Sequence, residues 1–220
     1  MADFERATAG ERISNYVEKR QNILIAVLSV VVAAIIAYVI VVTVVSKANT
    51  KALAALDTIS YEMTQNSSGL SAEELDKRRA KAFESLATYV TKGGVVGVRA
   101  NMLAAEIYYS QKDWNASARF WRTAAEKGKK SYTAPLAYFN AAVAYENGEN
   151  LDEAEQCYEK AAGDNDFLMA AHAEFSLGRV REAKGDTDGA IEAYRSVNAK
   201  SPDSSWGNLA KTRLIALEAD

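Results

Sequence analysis

One spacing returns three times in the second half of the chain and limits the folds open to it. A small residue is followed four positions later by an aromatic ring, and three positions after that by another small or β-branched residue. The sets are Ser117, Trp121, Ala124; then Ala154, Tyr158, Ala161; then Ala190, Tyr194, Val197. Residues three and four apart share one face of an α-helix. A small side chain beside a ring on that face lets two helices approach closely, which describes a packing seam rather than a catalytic one. Its recurrence predicts stacked helical hairpins.

Composition agrees with an all-α chain. Only two prolines and twelve glycines occur in 220 residues, and the net charge is −3. Helix breakers are therefore scarce. No basic stripe stands out in the C-terminal part, so a phosphate backbone has nothing to bind and nucleic acid is not an expected partner. The single cysteine, Cys157, excludes an intramolecular disulfide framework and any CxxC metal or redox site.

Residues 23–45, ILIAVLSVVVAAIIAYVIVVTVV, carry no charge, and only Ser29, Tyr38 and Thr43 have polar side-chain atoms. As a helix this run measures about 34 Å, enough to cross a hydrocarbon core of about 30 Å. A cleaved signal peptide with Ser46-Lys47-Ala48 as its site is the rival reading, but signal h-regions run to only about 15 residues. The expectation is an uncleaved transmembrane anchor. Arg6, Arg12, Lys19 and Arg20 precede the span, while Lys47 and Lys51 follow it. Counting these charges places the N-terminus in the cytoplasm, and in a bacterium the C-terminal part would then be periplasmic. Ile13, Tyr16 and Val17 suggest a short helix leading into the span.

The predicted organisation is a cytoplasmic tail (1–22), a transmembrane helix (23–45), a helical hairpin or degenerate repeat (46–97), three repeats (98–204) and a C-terminal capping helix (205–220). In the hairpin, Ser71 and Glu74 form a capping-box pattern, and Gly93-Gly94 is expected to end the helix they begin. The three repeats fall near 98–131, 135–168 and 171–204, each a helix, a short turn and a second helix. Trp206, Leu209, Ala210 and Leu214 are expected to face inward from the cap.

At this point the chain resembles the tetratricopeptide repeat family, whose unit is a helix–turn–helix of about 34 residues. The third unit is the fullest copy, with Leu177-Gly178, Ala190, Tyr194, Val197 and Pro202 in the family's slots and Arg181 where a tyrosine is usual. The second has Tyr138, Ala141-Ala142, Tyr145, Ala154, Tyr158 and Ala161, with Asp166 in place of proline. The first has Ala104-Ala105, Tyr108, Ser117, Trp121 and Ala124, with Lys129 in place of proline.

The resemblance implies which first-helix positions line a concave partner-binding groove. They are Arg99, Met102, Glu106 and Tyr109; Leu136, Phe139, Val143 and Glu146; and His172, Phe175, Arg179 and Glu182. Met102, Phe139 and Phe175 stand where a carboxylate-clamp lysine would sit, so the expected partner is a protein or peptide segment with apolar anchors, not an acidic C-terminal tail. The competing reading is that Phe139 and Phe175 pack against the next unit or the C-terminal helix.

Chemistry has few candidates. The only histidine, His172, and the only cysteine, Cys157, fall on helices of neighbouring units, and no phosphate-binding loop, HExxH or calcium loop appears. No catalytic residue, cofactor, metal or small-molecule substrate is expected, and the protein is not expected to be an enzyme. One span, a short tail and a repeat array together resemble the ancillary translocon-subunit family of bacterial inner membranes. That likeness implies association with the export channel and periplasmic chaperones. The alternatives are a scaffold for one fixed partner in an envelope assembly, such as outer-membrane biogenesis or a motor complex, and a cytosol-facing import receptor on an organelle.

Overall fold

The computed structural model describes residues 8–219, without the side chains of residues 9 and 11–15. Arg6 and the side chains of Arg12 and Ile13, which carried part of the tail reading, lie outside the described residues. Nine α-helices and one 3-10 turn are described, with no strand among them. The chain divides into two units, residues 1–50 and 51–220.

Helix α1 (Ala9–Thr64) supplies the described part of the first unit and the opening of the second. Within residues 23–45 its apolar side chains are exposed, Ile23 at 61% and Val30 at 68% among them. The hydroxyls of that stretch do not need water. Ser29 donates to the Ile25 carbonyl and Thr43 to the Val39 carbonyl, each at 2.8 Å. Such i−4 bonds satisfy a hydroxyl inside the helix itself, as an apolar solvent demands. This helix is long and apolar enough to cross a membrane, a test that a signal sequence also meets.

The second unit is an array of antiparallel helix pairs. Residues 51–64 of α1 precede α2 (Ala72–Val90), and then follow α3 (Gly94–Ser110), α4 (Trp114–Lys127), α5 (Ala134–Asn147), α6 (Leu151–Ala162), α7 (Ala170–Ala183), α8 (Thr187–Lys200) and α9 (Ser205–Leu217). Ser71 caps α2 as expected: its hydroxyl accepts from the Glu74 amide at 3.3 Å, while its own amide donates to the Glu74 carboxylate at 2.9 Å. Gly93 and Gly94 do not end α2, which stops at Val90. They begin α3 instead, Gly94 taking a φ of 61°.

The seam residues form the core. Tyr158 and Tyr194 are almost wholly buried, and Ala154, Ala161, Ala190 and Val197 have no exposure. Ser117 holds an alanine slot without cost because its buried hydroxyl donates to the Ala105 carbonyl at 2.9 Å. Arg181 replaces a ring with an ion network: its guanidinium bonds Glu155 at 2.8 Å and Glu159 at 2.6 Å on α6. Burial pushes Glu155 up, but the bonds and charges of Lys184 and Arg181 outweigh it and hold the carboxyl below its ordinary value.

Each first-to-second-helix turn passes through one left-handed residue: Lys112 (φ 61°), Glu149 (φ 59°) and Gly185 (φ 79°). The next residue opens the following helix. Asp113 and Asp186 cap it through the amides of Ala116 and Gly189, both at 3.0 Å. Helix α9 then packs on α8 through Gly207, Ala210 and Leu214. Leu209 departs from expectation: it is 46% exposed. The neighbouring side of α9 presents Asn208, Lys211, Thr212 and Ile215 to solvent.

Candidate partner-binding face

The first helices α3, α5, α7 and α9 place corresponding residues in register along one face. Near their C-terminal ends, adjacent helices are joined by side chains. Arg179 on α7 bonds Glu146 on α5 at 2.8 Å, and Arg213 on α9 bonds Glu182 on α7. Each glutamate also accepts from the seam tyrosine of its own unit, Tyr158 to Glu146 at 2.9 Å and Tyr194 to Glu182 at 3.0 Å. Ring, carboxylate and guanidinium thus bridge two of the three junctions with satisfied polar groups, and at the α7–α9 junction a cleft of about 400 Å³ remains, lined by Phe175, Arg179, Glu182, Ala183, Tyr194 and Arg213. At the N-terminal end, Arg99 pairs with Asp57 of α1.

The junction between α3 and α5 lacks this bridge. Tyr109 stands where the others have glutamate, and Val143 where they have arginine. Between them opens a cleft of about 440 Å³ lined by Glu106, Tyr109, Ser110, Trp121, Asn140 and Val143. Tyr109 is 39% exposed, with its edge against Trp114 at 4.9 Å and its hydroxyl accepting from Asn147 at 3.3 Å. No hydrogen bond or ion pair holds the Glu106 carboxylate. Surrounding protein raises its pKa above the ordinary carboxylate value, and the charge of Arg99 offsets this only in part.

The twelve expected groove residues therefore divide. Glu106, Tyr109 and Val143 share the open region, while Met102 lines a separate cleft with Val95 and Tyr132. Arg179, Glu146 and Glu182 are engaged in the ion pairs described, as is Arg99. Leu136, 37% exposed, borders a separate cleft at the ends of the helices. Phe139 does not offer its ring to a partner: it is 6% exposed, against Tyr158 at 5.7 Å and His172 at 4.8 Å. His172 in turn stacks on Trp206 at 3.8 Å, and Phe175 packs between Tyr194 and Trp206 at 5.3 and 5.4 Å. Burial, followed by the charge of Arg179, lowers the pKa of His172 below its ordinary value. The next first helix supplies a ring to meet each phenylalanine; Phe139 is buried there, whereas Phe175 stays partly exposed and lines the α7–α9 cleft.

Trp121 and Asn140 line the cleft without having been singled out for it. Trp206, expected to face inward from the cap, meets the rings of His172 and Phe175. Cys157 is buried, which pushes its thiol up to about 11 and leaves it a packing residue.

Two overlapping stretches of the chain, residues 102–166 and 139–205, match the tetratricopeptide repeat. The helical array is of the tetratricopeptide type. Tetratricopeptide repeats form a protein-interaction fold that is not itself catalytic, and they bind protein or peptide partners. A TPR repeat-containing protein of Treponema pallidum (strain Nichols) is 31% identical over 135 residues, which are 61% of this chain and 56% of that protein. The likeness thus spans little more than half of that relative's length.

Proposed function

We propose that the protein is a membrane-anchored interaction module whose tetratricopeptide face holds protein segments carrying an apolar residue beside a lysine or arginine. Residues 23–45 serve as the span. The array works in the periplasm beside the export channel, receiving newly exported chains together with periplasmic chaperones. The observation that carries the reading is the α3–α5 junction. Other junctions of this face are bridged by their own ion pairs, whereas here a mainly apolar cleft adjoins a carboxylate that no ion pair holds. An apolar anchor fits between Tyr109 and Val143, and a basic neighbour meets Glu106. Tethering to the membrane raises the local concentration of passing chains to about the millimolar range, so weak contacts suffice.

The test is photo-crosslinking in native membranes from probes at Tyr109 and Val143, with the buried position Phe139 as control. Many exported proteins in the adduct ladder, increasing when secretion is stalled, are the expected outcome. A single discrete adduct would replace this reading with a scaffold for one partner. No adduct from either site would refute the groove. A C-terminal alkaline phosphatase fusion tests the topology, and the expected result is an active enzyme.

A further inference from the structure

Outside the concave face the described part of the second unit exposes Tyr61, Leu209 and Ile215, and a further group of apolar side chains at the loops that lead into the first helices. Tyr132 before α5 is 91% exposed and Leu168 before α7 is 100% exposed, and Val95 in the first turn of α3 is 55% exposed. Single exposed apolar residues are ordinary, but these recur at the same place in consecutive repeats. They also lie along one edge. One cleft of about 470 Å³ is shared by Val95 and Tyr132, and a second of about 600 Å³ by Tyr132, Leu136 and Leu168.

Two further observations identify what meets that edge. The first is charge. Lys129 and Lys130 flank Tyr132 and both are exposed, and Lys92 lies in the loop before Val95. Asp164 and Asp166 flank Leu168, so the cationic part is confined to the first two loops. The second is where the chain joins this unit. Lys81 pairs with Glu62 and Arg78 bonds the Gln65 carbonyl, so α1 and α2 are antiparallel. Helix α3 reverses again, and Asp57 meets Arg99. Residue 51 is therefore at the end of the helix stack where α3 begins, the end that carries these loops. In the sequence, the apolar run ends at Val45, only a few residues earlier.

We propose that this loop edge docks on the anionic headgroup surface of the bilayer, inserting Tyr132 and Leu168 at the interface while Lys129 and Lys130 meet lipid phosphates. An amphipathic ring such as tyrosine is suited to the headgroup level, and each lysine near an anionic surface contributes about a fivefold change in the docked-to-undocked ratio. The edge comprises mainly the N-terminal ends of the first helices, and its clefts reach as far as Arg99, Met102 and Leu136. The proposal rests on residues 23–45 being a membrane span.

The test uses the full chain reconstituted in vesicles. Environment-sensitive fluorophores are attached at Tyr132→Cys, at Leu168→Cys and, on the opposite edge, at Gln111→Cys. The buried Cys157 does not compete for label. Vesicles are phosphatidylcholine alone or phosphatidylcholine with phosphatidylglycerol, each containing lipids with a nitroxide quencher at the headgroup. The expected result is quenching at 132 and 168 but not at 111. Phosphatidylglycerol should strengthen it, and Lys129→Glu with Lys130→Glu should remove that lipid dependence. Release of the protein by carbonate would overturn both the span and the docking. Retention in the membrane with 132 and 168 no more quenched than 111 would overturn the docking alone. A blue shift without lipid quenching that grows with protein-to-lipid ratio would mean that a second copy covers the edge, and would also overturn it.

Discussion

Replacing Gly178 by alanine tests the seam at its tightest point. A Cβ added there would lie 2.6 Å from Tyr194 Cε1 and 2.8 Å from Cδ1. Carbon atoms rest about 3.5–4.0 Å apart, so the ring must retreat by about 1 Å. Tyr194 has little freedom to do so. It is 1% exposed, its hydroxyl is bonded to Glu182 at 3.0 Å, and Phe175 lies against it. Overpacking of this kind costs about 1–3 kcal/mol, and the better helix propensity of alanine returns about 1 kcal/mol. The net expectation is a loss of up to about 2 kcal/mol. All three tryptophans, Trp114, Trp121 and Trp206, belong to the second unit. Urea unfolding followed by tryptophan fluorescence therefore reports on this unit, and its midpoint should fall by up to about 1 M. In a Tyr194→Leu background the clash is gone, so the same substitution should become neutral or stabilising. A wild-type background that tolerates alanine, or an equal loss in both backgrounds, would refute the close-approach argument.

Glu149→Gly and Lys112→Gly should each stabilise the array by about 0.5–1 kcal/mol, since both positions have left-handed backbones that disfavour a side chain, whereas Gly185→Ala should destabilise it by about 1 kcal/mol. Denaturant titration of the three variants checks this. Glu155 has a folded pKa below its unfolded value, so its contribution is complete above that unfolded value of about 4.5 and is lost as the pH falls through the folded one. Replacing Arg181 by methionine should lower stability at pH 7 and flatten its decline below pH 4.5, as read from unfolding curves across that range.

The fold was legible because its signals repeat. Seam residues recur at one spacing, and the capping pattern at Ser71 is local to four positions. The turns were less legible, for only one of the three left-handed residues is glycine. The candidate site was legible in part. Tetratricopeptide positions locate the first-helix face, but they do not say which side chains their neighbours occupy. Arg179 reaches Glu146 across 33 positions and Arg213 reaches Glu182 across 31, pairings that exist only once the helices are in register. Phe139 has the right position for a groove residue, yet Phe167 from the loop after α6 and His172 from the next unit approach it and bury it. What distinguishes the α3–α5 junction is the pair that is missing there, and a missing pair has no sequence signature.

The central claim is that Glu106 receives a cation from a segment anchored between Tyr109 and Val143. It is tested most directly by reversing that charge and measuring adduct yield from a photo-probe at Val143. Glu106→Lys should lower the yield about tenfold, the effect of losing about 1.4 kcal/mol of charge-assisted bonding, while the same reversal at the exposed Glu84 should leave it unchanged. An undiminished yield from the Glu106→Lys variant would contradict the account.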